Sequence, residues 1–186
     1  MNKHIIKQKL LLYKIRKNKD PESFALLYDI FVEKIYRYIF FKVNKAEDAE
    51  DLTSEVFLKT WQYLITDKKV GNFNALVYQI AKHIIVDFYR KKSQAEFTNE
   101  EDLLLGIEEN KSLADQIEKK LEFENVGHLL KKLKDEYREV IILRFVEELS
   151  IDEIAKIISK TKGNVRVMLH RALSALKELI EKHNNK

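Results

Sequence analysis

The sequence LSIDEIAKIISKTKGNVRVMLHRALSALK, residues 149–177, gives the clearest indication of the fold. It contains two helix-start signals that lie eleven residues apart. Ser150 and Glu153 form a capping-box pattern, in which each side chain satisfies a backbone N–H group of the other residue. Thr161 is a second N-cap, immediately before a helix that begins at Lys162. The stretch therefore predicts two successive helices, of which the first is only about two turns long.

Apolar residues recur at helical spacing in both predicted helices. They are Ile151, Ile154, Ala155 and Ile158 in the first helix, and Val165, Leu169, Ala172, Leu173 and Leu176 in the second. Because the turn at Ser159–Lys160 is tight, we expect the two helices to pack at a steep angle, as a helix-turn-helix. The preceding stretch YREVIILRFVEE, residues 137–148, predicts a supporting helix that closes the small core.

The side of the second helix that faces away from this core is predicted to be basic and polar. Its residues, together with one lysine from the turn, are Lys160, Lys162, Asn164, Arg166, Val167, His170 and Arg171. Lysine and arginine suit phosphates and guanine edges, asparagine suits adenine, and valine can contact a thymine methyl group. These residue types predict a helix that enters the major groove of DNA. The alternative is a solvated face on an ordinary helical hairpin, and His170 alone fits a packing role equally well.

Composition favours an all-α protein. The 186 residues include one proline and four glycines, so there are few helix breakers, and 45% of the residues are hydrophobic, which is enough for packed cores. The absence of cysteine excludes disulfides and thiolate metal sites. There is no apolar run of transmembrane length, and the lysine-dense N-terminus does not resemble a signal peptide. We therefore expect a cytoplasmic protein without membrane insertion.

Charge is distributed unevenly along the chain. Met1 to Lys92 has 18 Lys+Arg against 11 Asp+Glu, Ser93 to Glu118 has 1 against 8, and Lys119 to Lys186 has 15 against 11. We therefore predict two small helical domains, residues 1–92 and 119–186, joined by an acidic linker over residues 93–118. A plain solvated tether is an equally open interpretation of the linker. Residues 1–19 predict an additional basic amphipathic helix with no assigned role.

The N-terminal half predicts three further helices. Asp20–Pro21 is an N-cap followed by proline at the first helical position. The next helix, AEDAEDLTSEVFLKTWQYL (residues 46–64), mixes acids with aromatic residues, which suits docking to a basic partner, although the helix dipole also favours acids in the first turn. The third, FNALVYQIAKHIIVDFYRKK (residues 73–92), interleaves aromatic and basic residues, a pattern that can hold single-stranded nucleic acid. Some of these aromatic side chains must nevertheless be core residues.

Three stretches in this order resemble an extracytoplasmic-function sigma factor of the sigma-70 family: residues 48–61, residues 73–92, and residues 137–177 after the acidic spacer. The resemblance implies two helical domains, called regions 2 and 4. It implies that region 2 binds the β′ coiled coil of core RNA polymerase and melts the minus-10 promoter element. It also implies that region 4 docks on the β flap and reads the minus-35 element. An anti-sigma factor is a further partner that the resemblance leaves open.

The resemblance assigns roles to individual positions. It implies polymerase contacts in the helix over residues 46–64, at Asp48, Asp51, Glu55, Phe57 and Trp61. It implies minus-10 contacts in the loop Thr66 to Asn72 and in the following helix, at Asn72, Tyr78, Lys82, His83, Arg90 and Lys91. It implies that the basic surface of the second C-terminal helix, defined above, reads the minus-35 element. The sequence departs from frequent family residues at Ser54, Leu76, His83 and Asn164, which bears on promoter sequence more than on class.

Two rival functions remain open at this point. A helix-turn-helix regulator that acts without core polymerase would explain the C-terminal half but not the acidic and aromatic helix. A nuclease or recombinase would need catalytic carboxylates, and those at residues 47–55 crowd one helix without a partner motif. The five histidines show no metal-ligand spacing. We therefore expect no enzymatic activity, no cofactor, no metal and no small-molecule substrate.

Overall fold

The structure is a computed structural model that describes residues 3–43, 45–66, 68–96, 129–130 and 132–184. Every element among these residues is helical, which confirms the all-α fold class. The chain divides into two compact units, Met1–Ile107 and Glu108–Lys186. None of the helices in the described ranges is long and apolar enough to cross a membrane.

The N-terminal unit contains four long helices: α1 (Lys3–Asn18), α2 (Pro21–Val43), α3 (Ala46–Leu64) and α4 (Phe73–Glu96). The predicted N-cap of α2 is confirmed. The Asp20 carboxylate accepts hydrogen bonds from the Glu22 backbone N–H, at 3.2 Å, and from the Ser23 hydroxyl, at 2.6 Å. The bond from Ser23 is the main cause that lowers the pKa of Asp20 below its ordinary value. Since α4 runs to Glu96, the first residues of the segment predicted as linker are helical, and residues 97–118 of it lie outside the described residues.

The core of this unit forms where α2, α3 and α4 pack on one another. Its largest fully buried side chains include Tyr38 and Tyr78, whose rings meet edge to face with centroids 5.3 Å apart. Each fully buried large side chain contributes about 1.5–3 kcal/mol to stability. Helix α1 adds to this core by burying Leu11 and Ile15 where it packs on α2 and α3. The predicted N-terminal helix is therefore present as an integral part of the unit.

The C-terminal unit contains α5 (Asp135–Ile141), a wider π-helical turn over Ile142–Val146, α6 (Ile151–Ile157) and α7 (Lys162–Asn184). The predicted supporting helix is thus present, but it changes pitch halfway. Helix α7 packs on α5 and α6, and Ile154, Val165 and Ala172 are buried between them. One expectation from the apolar periodicity is wrong, since Leu173, predicted on the packed side of α7, is 43% exposed. Leu176 is half-buried.

The two tight turns around α6 use non-glycine residues with positive φ. Glu148 precedes the helix with φ 54°, and the Arg144 guanidinium braces this turn by donating to the Leu149 carbonyl at 2.9 Å. Ser159 follows the helix with φ 54°. There the Lys160 N–H donates to the Ala155 carbonyl at 3.0 Å and the Ser159 N–H to the Lys156 carbonyl at 3.4 Å. This Schellman-type ending sets the angle between α6 and α7.

Candidate nucleic-acid and polymerase interfaces

Both predicted caps of the helix-turn-helix are formed. The Ser150 N–H donates to Glu153 Oε2 at 3.0 Å, and the Glu153 N–H donates to Ser150 Oγ at 3.3 Å, which completes the capping box. The Thr161 hydroxyl oxygen accepts from the Asn164 N–H at 3.2 Å. These bonds hold the first turn of each helix, whereas the burial of Val165, Leu169 and Ala172 sets which side of α7 points outward.

That outward side is the recognition surface, defined as the predicted set Lys160, Lys162, Asn164, Arg166, Val167, His170 and Arg171. All of these side chains are exposed. The opposite side of α7 is closed by Val165, Leu169 and Ala172, which are buried. The structure therefore brings the whole predicted set to the surface of one helix, with two arginines and two lysines among them.

One acidic residue lies beside the recognition surface and was not predicted from the sequence. The Asp152 carboxylate, in the first turn of α6, accepts a hydrogen bond from Lys162 Nζ at 2.7 Å. This bond lowers the pKa of Asp152 below its ordinary value, and the positive charges of Lys156 and Arg166 lower it further. The available signal was Asp152 at the start of one helix and Lys162 at the start of the next, since the turn brings these starts together.

The candidate minus-10 residues are not equivalent in the structure. Asn72 is the N-cap of α4, because its side-chain oxygen accepts from the Ala75 N–H at 2.9 Å. His83, Arg90 and Lys91 are exposed, and Lys82 is half-buried. Tyr78 is fully buried against Tyr38, which places it in the core rather than on the basic side of α4. Helical spacing alone did not distinguish this buried aromatic residue from the exposed basic residues beside it.

The loop that precedes α4 carries further positive charge. Lys68 and Lys69 are exposed, and Lys68 Nζ lies 5.4 Å from the centroid of the Tyr63 ring, within cation–π range. The Thr66 hydroxyl anchors the start of the loop by donating to the Tyr63 carbonyl at 2.7 Å. At the other end of α4, the Tyr89 hydroxyl donates to the Lys42 carbonyl at 2.7 Å and so ties α4 to α2. The two lysines were part of the predicted loop but were not singled out by the sequence.

The candidate polymerase-binding residues form an acidic surface on α3 above an aromatic cluster. Asp51 is exposed, Asp48 and Glu55 are half-buried, and Glu55 pairs with Lys59 at 2.7 Å. Phe57 is buried, with its ring centroid 4.6 Å from that of Tyr28, so it packs inside the unit rather than on the acidic surface. Trp61 remains half-buried and packs edge-on against Phe24 at 5.1 Å.

Two apolar side chains on this surface were missed. Tyr28 and Leu58 are exposed beside the buried Phe57, so the surface is mixed acidic and apolar. Leu58 directly follows Phe57, and only Phe57 lies on the side of α3 that also buries Thr53, Thr60 and Leu64. Within the described part of the chain, no three His, Asp or Glu side chains are grouped so that they could hold a metal ion.

Two family models match the chain, one for each half. The model of sigma-70 region 2 matches residues 27–95, and the model of sigma-70 region 4 matches residues 123–176. The region 2 match covers the acidic and aromatic helix that a helix-turn-helix regulator alone would leave unexplained. The regulator that acts without polymerase is therefore not favoured.

Curated relatives agree with these matches. The ECF RNA polymerase sigma factor SigW of Bacillus subtilis is 30% identical over 170 residues, which cover 87% of this chain and 91% of SigW. The ECF RNA polymerase sigma factor BldN of Streptomyces coelicolor is 29% identical over 163 residues, which cover 87% of this chain but 61% of BldN. The chain belongs to the extracytoplasmic-function (ECF) sigma factors of the sigma-70 family. Proteins of this family are non-catalytic initiation factors that direct RNA polymerase to promoters.

The fold is also found among solved structures. The sigma factor RpoE from Bartonella quintana, determined in complex with the anti-sigma factor NepR, superimposes with a TM-score of 0.72 at 18% sequence identity. The match covers 86% of this chain and 98% of RpoE. This similarity extends the agreement from sequence to the helical fold.

Proposed function

We propose that this sigma factor uses two separate surfaces to recognise promoters and a third to bind core polymerase. The recognition surface of α7 reads the minus-35 element. The basic side of α4 and the loop before it open and hold the minus-10 element. The acidic and apolar surface of α2 and α3 binds the β′ coiled coil. The observation that carries the proposal is the exposure of the whole recognition surface on a helix whose start is capped by Thr161.

At the minus-35 element, the N-terminal turns of α7 enter the major groove. Lys162, Asn164 and Arg166 lie in these turns and face the base edges, where arginine pairs with guanine and asparagine with adenine. Arg171 and Lys160 lie farther along the helix and in the turn, and they suit phosphate contacts. Capping supports this arrangement, because a helix whose first turn frays would lose the geometry that base contacts require.

At the minus-10 element, melting exposes single-stranded bases and a charged backbone. Lys68 and Lys69 from the loop and Lys82, Arg90 and Lys91 from α4 supply the positive charge that attracts this strand, and His83 is exposed on the same helix. Asn72 contributes by capping α4, which holds the loop end in place beneath the strand. The resulting site combines a loop that can surround one base with a helix side that follows the backbone.

Polymerase binding combines charge with apolar contact. Asp51 and Glu55 present negative charge, while Tyr28, Leu58 and Trp61 present apolar area that a partner would bury. A mixed surface of this kind suits a basic helical partner such as the β′ coiled coil. In the C-terminal unit, Phe145 is exposed on the π-helical turn and provides an apolar contact for the β flap.

An anti-sigma factor is proposed as the regulatory partner, since the structurally similar RpoE was determined with one. The acidic linker, residues 93–118, is proposed to lie away from duplex DNA, because phosphates repel its excess of acids. A positively charged channel of the polymerase is a more favourable environment for it. A plain tether is the competing interpretation.

Transcription in vitro tests the proposal directly. Core polymerase and a genomic DNA library are incubated with and without this protein, and the transcript start sites are sequenced. New start sites that share paired elements at minus-10 and minus-35 are the expected result. Promoter binding that is equally strong without core polymerase, combined with no new start sites, would contradict it. Asp51→Asn combined with Leu58→Ser is expected to weaken the complex with core polymerase and to leave folding unchanged.

A further inference from the structure

Helix α1 has a second apolar face that no described residue covers. Leu11 and Ile15 are buried in the N-terminal unit, whereas Ile6, Leu10 and Tyr13 are 48%, 54% and 60% exposed. Single exposed apolar residues are ordinary on protein surfaces. These three, however, are spaced by four and then three residues, so they form one continuous line along the helix. We call Ile6, Leu10 and Tyr13 the outer stripe.

The spacing of the outer stripe is that of a coiled-coil seam. If Leu10 is an a position, Ile6 and Tyr13 are d positions, and the flanking e and g positions are Lys7, Lys9, Lys14 and Arg16. The three lysines are exposed and Arg16 is half-buried. Helix α1 contains no acidic residue at all. An apolar seam with a basic residue at every flanking position selects a partner helix with acidic residues at its own e and g positions.

We propose that the outer stripe docks an acidic amphipathic helix of a partner protein. The partner would place apolar a and d residues against Ile6, Leu10 and Tyr13, and Asp or Glu side chains opposite Lys7, Lys9 and Lys14. A second copy of this chain is disfavoured, because lysines would then face lysines. DNA is disfavoured because the middle of the surface is aliphatic, and phosphates gain nothing from Ile6 or Leu10.

A hydrogen bond and buried apolar side chains hold α1 on the N-terminal unit. Gln8 lies on the side of α1 opposite Leu10 and donates a hydrogen bond from Nε2 to Asn74 Oδ1 in α4, at 3.3 Å. Together with the buried Leu11 and Ile15, this bond fixes α1 before any partner arrives, so little ordering entropy is lost on binding. Because the outer stripe points away from this contact with α4, a docked helix would leave the basic side of α4 open to promoter DNA. The surface is distinct from the proposed polymerase-binding surface on α2 and α3.

A pair of designed peptides tests the charge requirement. The acidic probe is a three-heptad helix with leucine at a and d and glutamate at e and g, labelled with fluorescein. The control probe carries lysine at e and g and is otherwise identical. Titration of the full-length protein at low ionic strength, followed by fluorescence anisotropy, is expected to show binding of the acidic probe. The control probe is expected to bind on the order of tenfold more weakly, as three ion pairs at the seam imply.

Protein variants test the register. Lys7→Glu combined with Lys14→Glu is expected to exchange the preference, so that the basic probe binds more tightly. The matched control is Lys34→Glu combined with Lys45→Glu, which makes the same charge change at exposed sites outside α1 and is expected to keep the wild-type preference. Ile6→Ser combined with Leu10→Ser is expected to abolish the binding of both probes. Unchanged unfolding curves, followed by the fluorescence of the single tryptophan Trp61, verify that each variant is folded.

Four results would each overturn the proposal. Both probes could bind alike, or the charge reversal could fail to exchange the preference. Vesicles of anionic lipid could bind the outer stripe while the acidic probe does not, which would assign the stripe to a membrane surface. Finally, the acidic probe could bind only after Glu100, Glu101, Asp102, Glu108 and Glu109 are changed to amides, which would assign the stripe to the chain's own linker.

Discussion

Helices α4 and α7 were both predicted to contact DNA, yet they differ in how much of each helix is buried. In α7 the residues buried most deeply are Val165, Leu169 and Ala172, which form one narrow stripe. In α4 the buried residues Val77, Tyr78, Ala81, Ile84 and Ile85 cover a much wider arc, because α2 and α3 both pack on this helix. The aromatic residue Tyr78 therefore falls within the packed arc of α4, although basic residues lie near it in the sequence. A helix that packs on two neighbours places part of a basic and aromatic pattern in the core, whereas one narrow packed stripe leaves the rest of the helix exposed.

The largest expected effect separates the core of α4 from its basic side. Tyr78→Ala removes a fully buried ring and is expected to destabilise the N-terminal unit by about 3–5 kcal/mol. His83→Ala, at an exposed position on the same helix, is expected to change stability by less than about 0.5 kcal/mol. It should instead weaken binding of holoenzyme to forked minus-10 DNA. Denaturant unfolding, followed by Trp61 fluorescence, measures the stability of both variants. Equal stability of the two variants would show that Tyr78 is not a core residue.

The next effect concerns the recognition surface of α7. Arg166→Ala is expected to weaken promoter binding by about 1–3 kcal/mol and to relax the preference at one base pair if the side chain contacts a base. If Arg166 contacts a phosphate, all sequences should weaken alike and the salt dependence should fall. Lys177→Ala makes the same charge change near the far end of α7 and serves as the control. Binding measured by anisotropy at several salt concentrations distinguishes these outcomes, and wild-type affinity in Arg166→Ala would remove it from the interface.

A smaller effect is expected at the ion pair beside the recognition surface. Asp152→Asn removes a negative charge that holds Lys162, so binding to nonspecific duplex DNA should rise about threefold and its salt slope should steepen by about 1. Asp135→Asn on α5 removes an acid that is also ion-paired, and it provides the comparison. If both variants bind nonspecific DNA equally tightly, Asp152 has no particular role in positioning Lys162.

A stability effect of similar size concerns the turn between α6 and α7. Ser159 has φ 54°, which is strained for a residue with a Cβ atom, so Ser159→Gly should stabilise the C-terminal unit by about 0.5–1 kcal/mol. Ser159→Ala keeps the Cβ atom and should not stabilise it. Amide hydrogen exchange in α7, read from the full-length protein, measures the change in this unit alone. Stabilisation by alanine as well as glycine would contradict the backbone explanation.

The sequence was sufficient for the parts of the molecule that depend on local chemistry. The caps at Ser150, Thr161 and Asp20 follow from side chains that bond to N–H groups two or three residues away, and all three are present. The sequence was insufficient where contacts between helices decide orientation. The exposure of Leu173 does not follow from apolar periodicity, which predicts it on the packed side of α7.

The turn chemistry escaped prediction for a different reason. Left-handed positions are usually marked by glycine, and the turn after α6 uses Ser159 instead. The pairing of Asp152 with Lys162 was not predicted either, since it forms only where that turn brings the two helix starts together. The outer stripe of α1 could be located by its spacing, but only the structure shows that the opposite face of α1 is the buried one.

Selection from a promoter library tests most directly whether two separate surfaces read two separate elements. The library is randomised at minus-10 and minus-35 and transcribed by core polymerase with three proteins: the wild type, Arg166→Ala, and a chimera that takes residues 66–71 from another ECF sigma factor. The chimera retains Asn72 because that residue caps α4. We predict that Arg166→Ala alters only the selected minus-35 sequence and that the chimera alters only the selected minus-10 sequence. A shift of both elements by either protein, or of neither element by both, would contradict the division between α7 and α4.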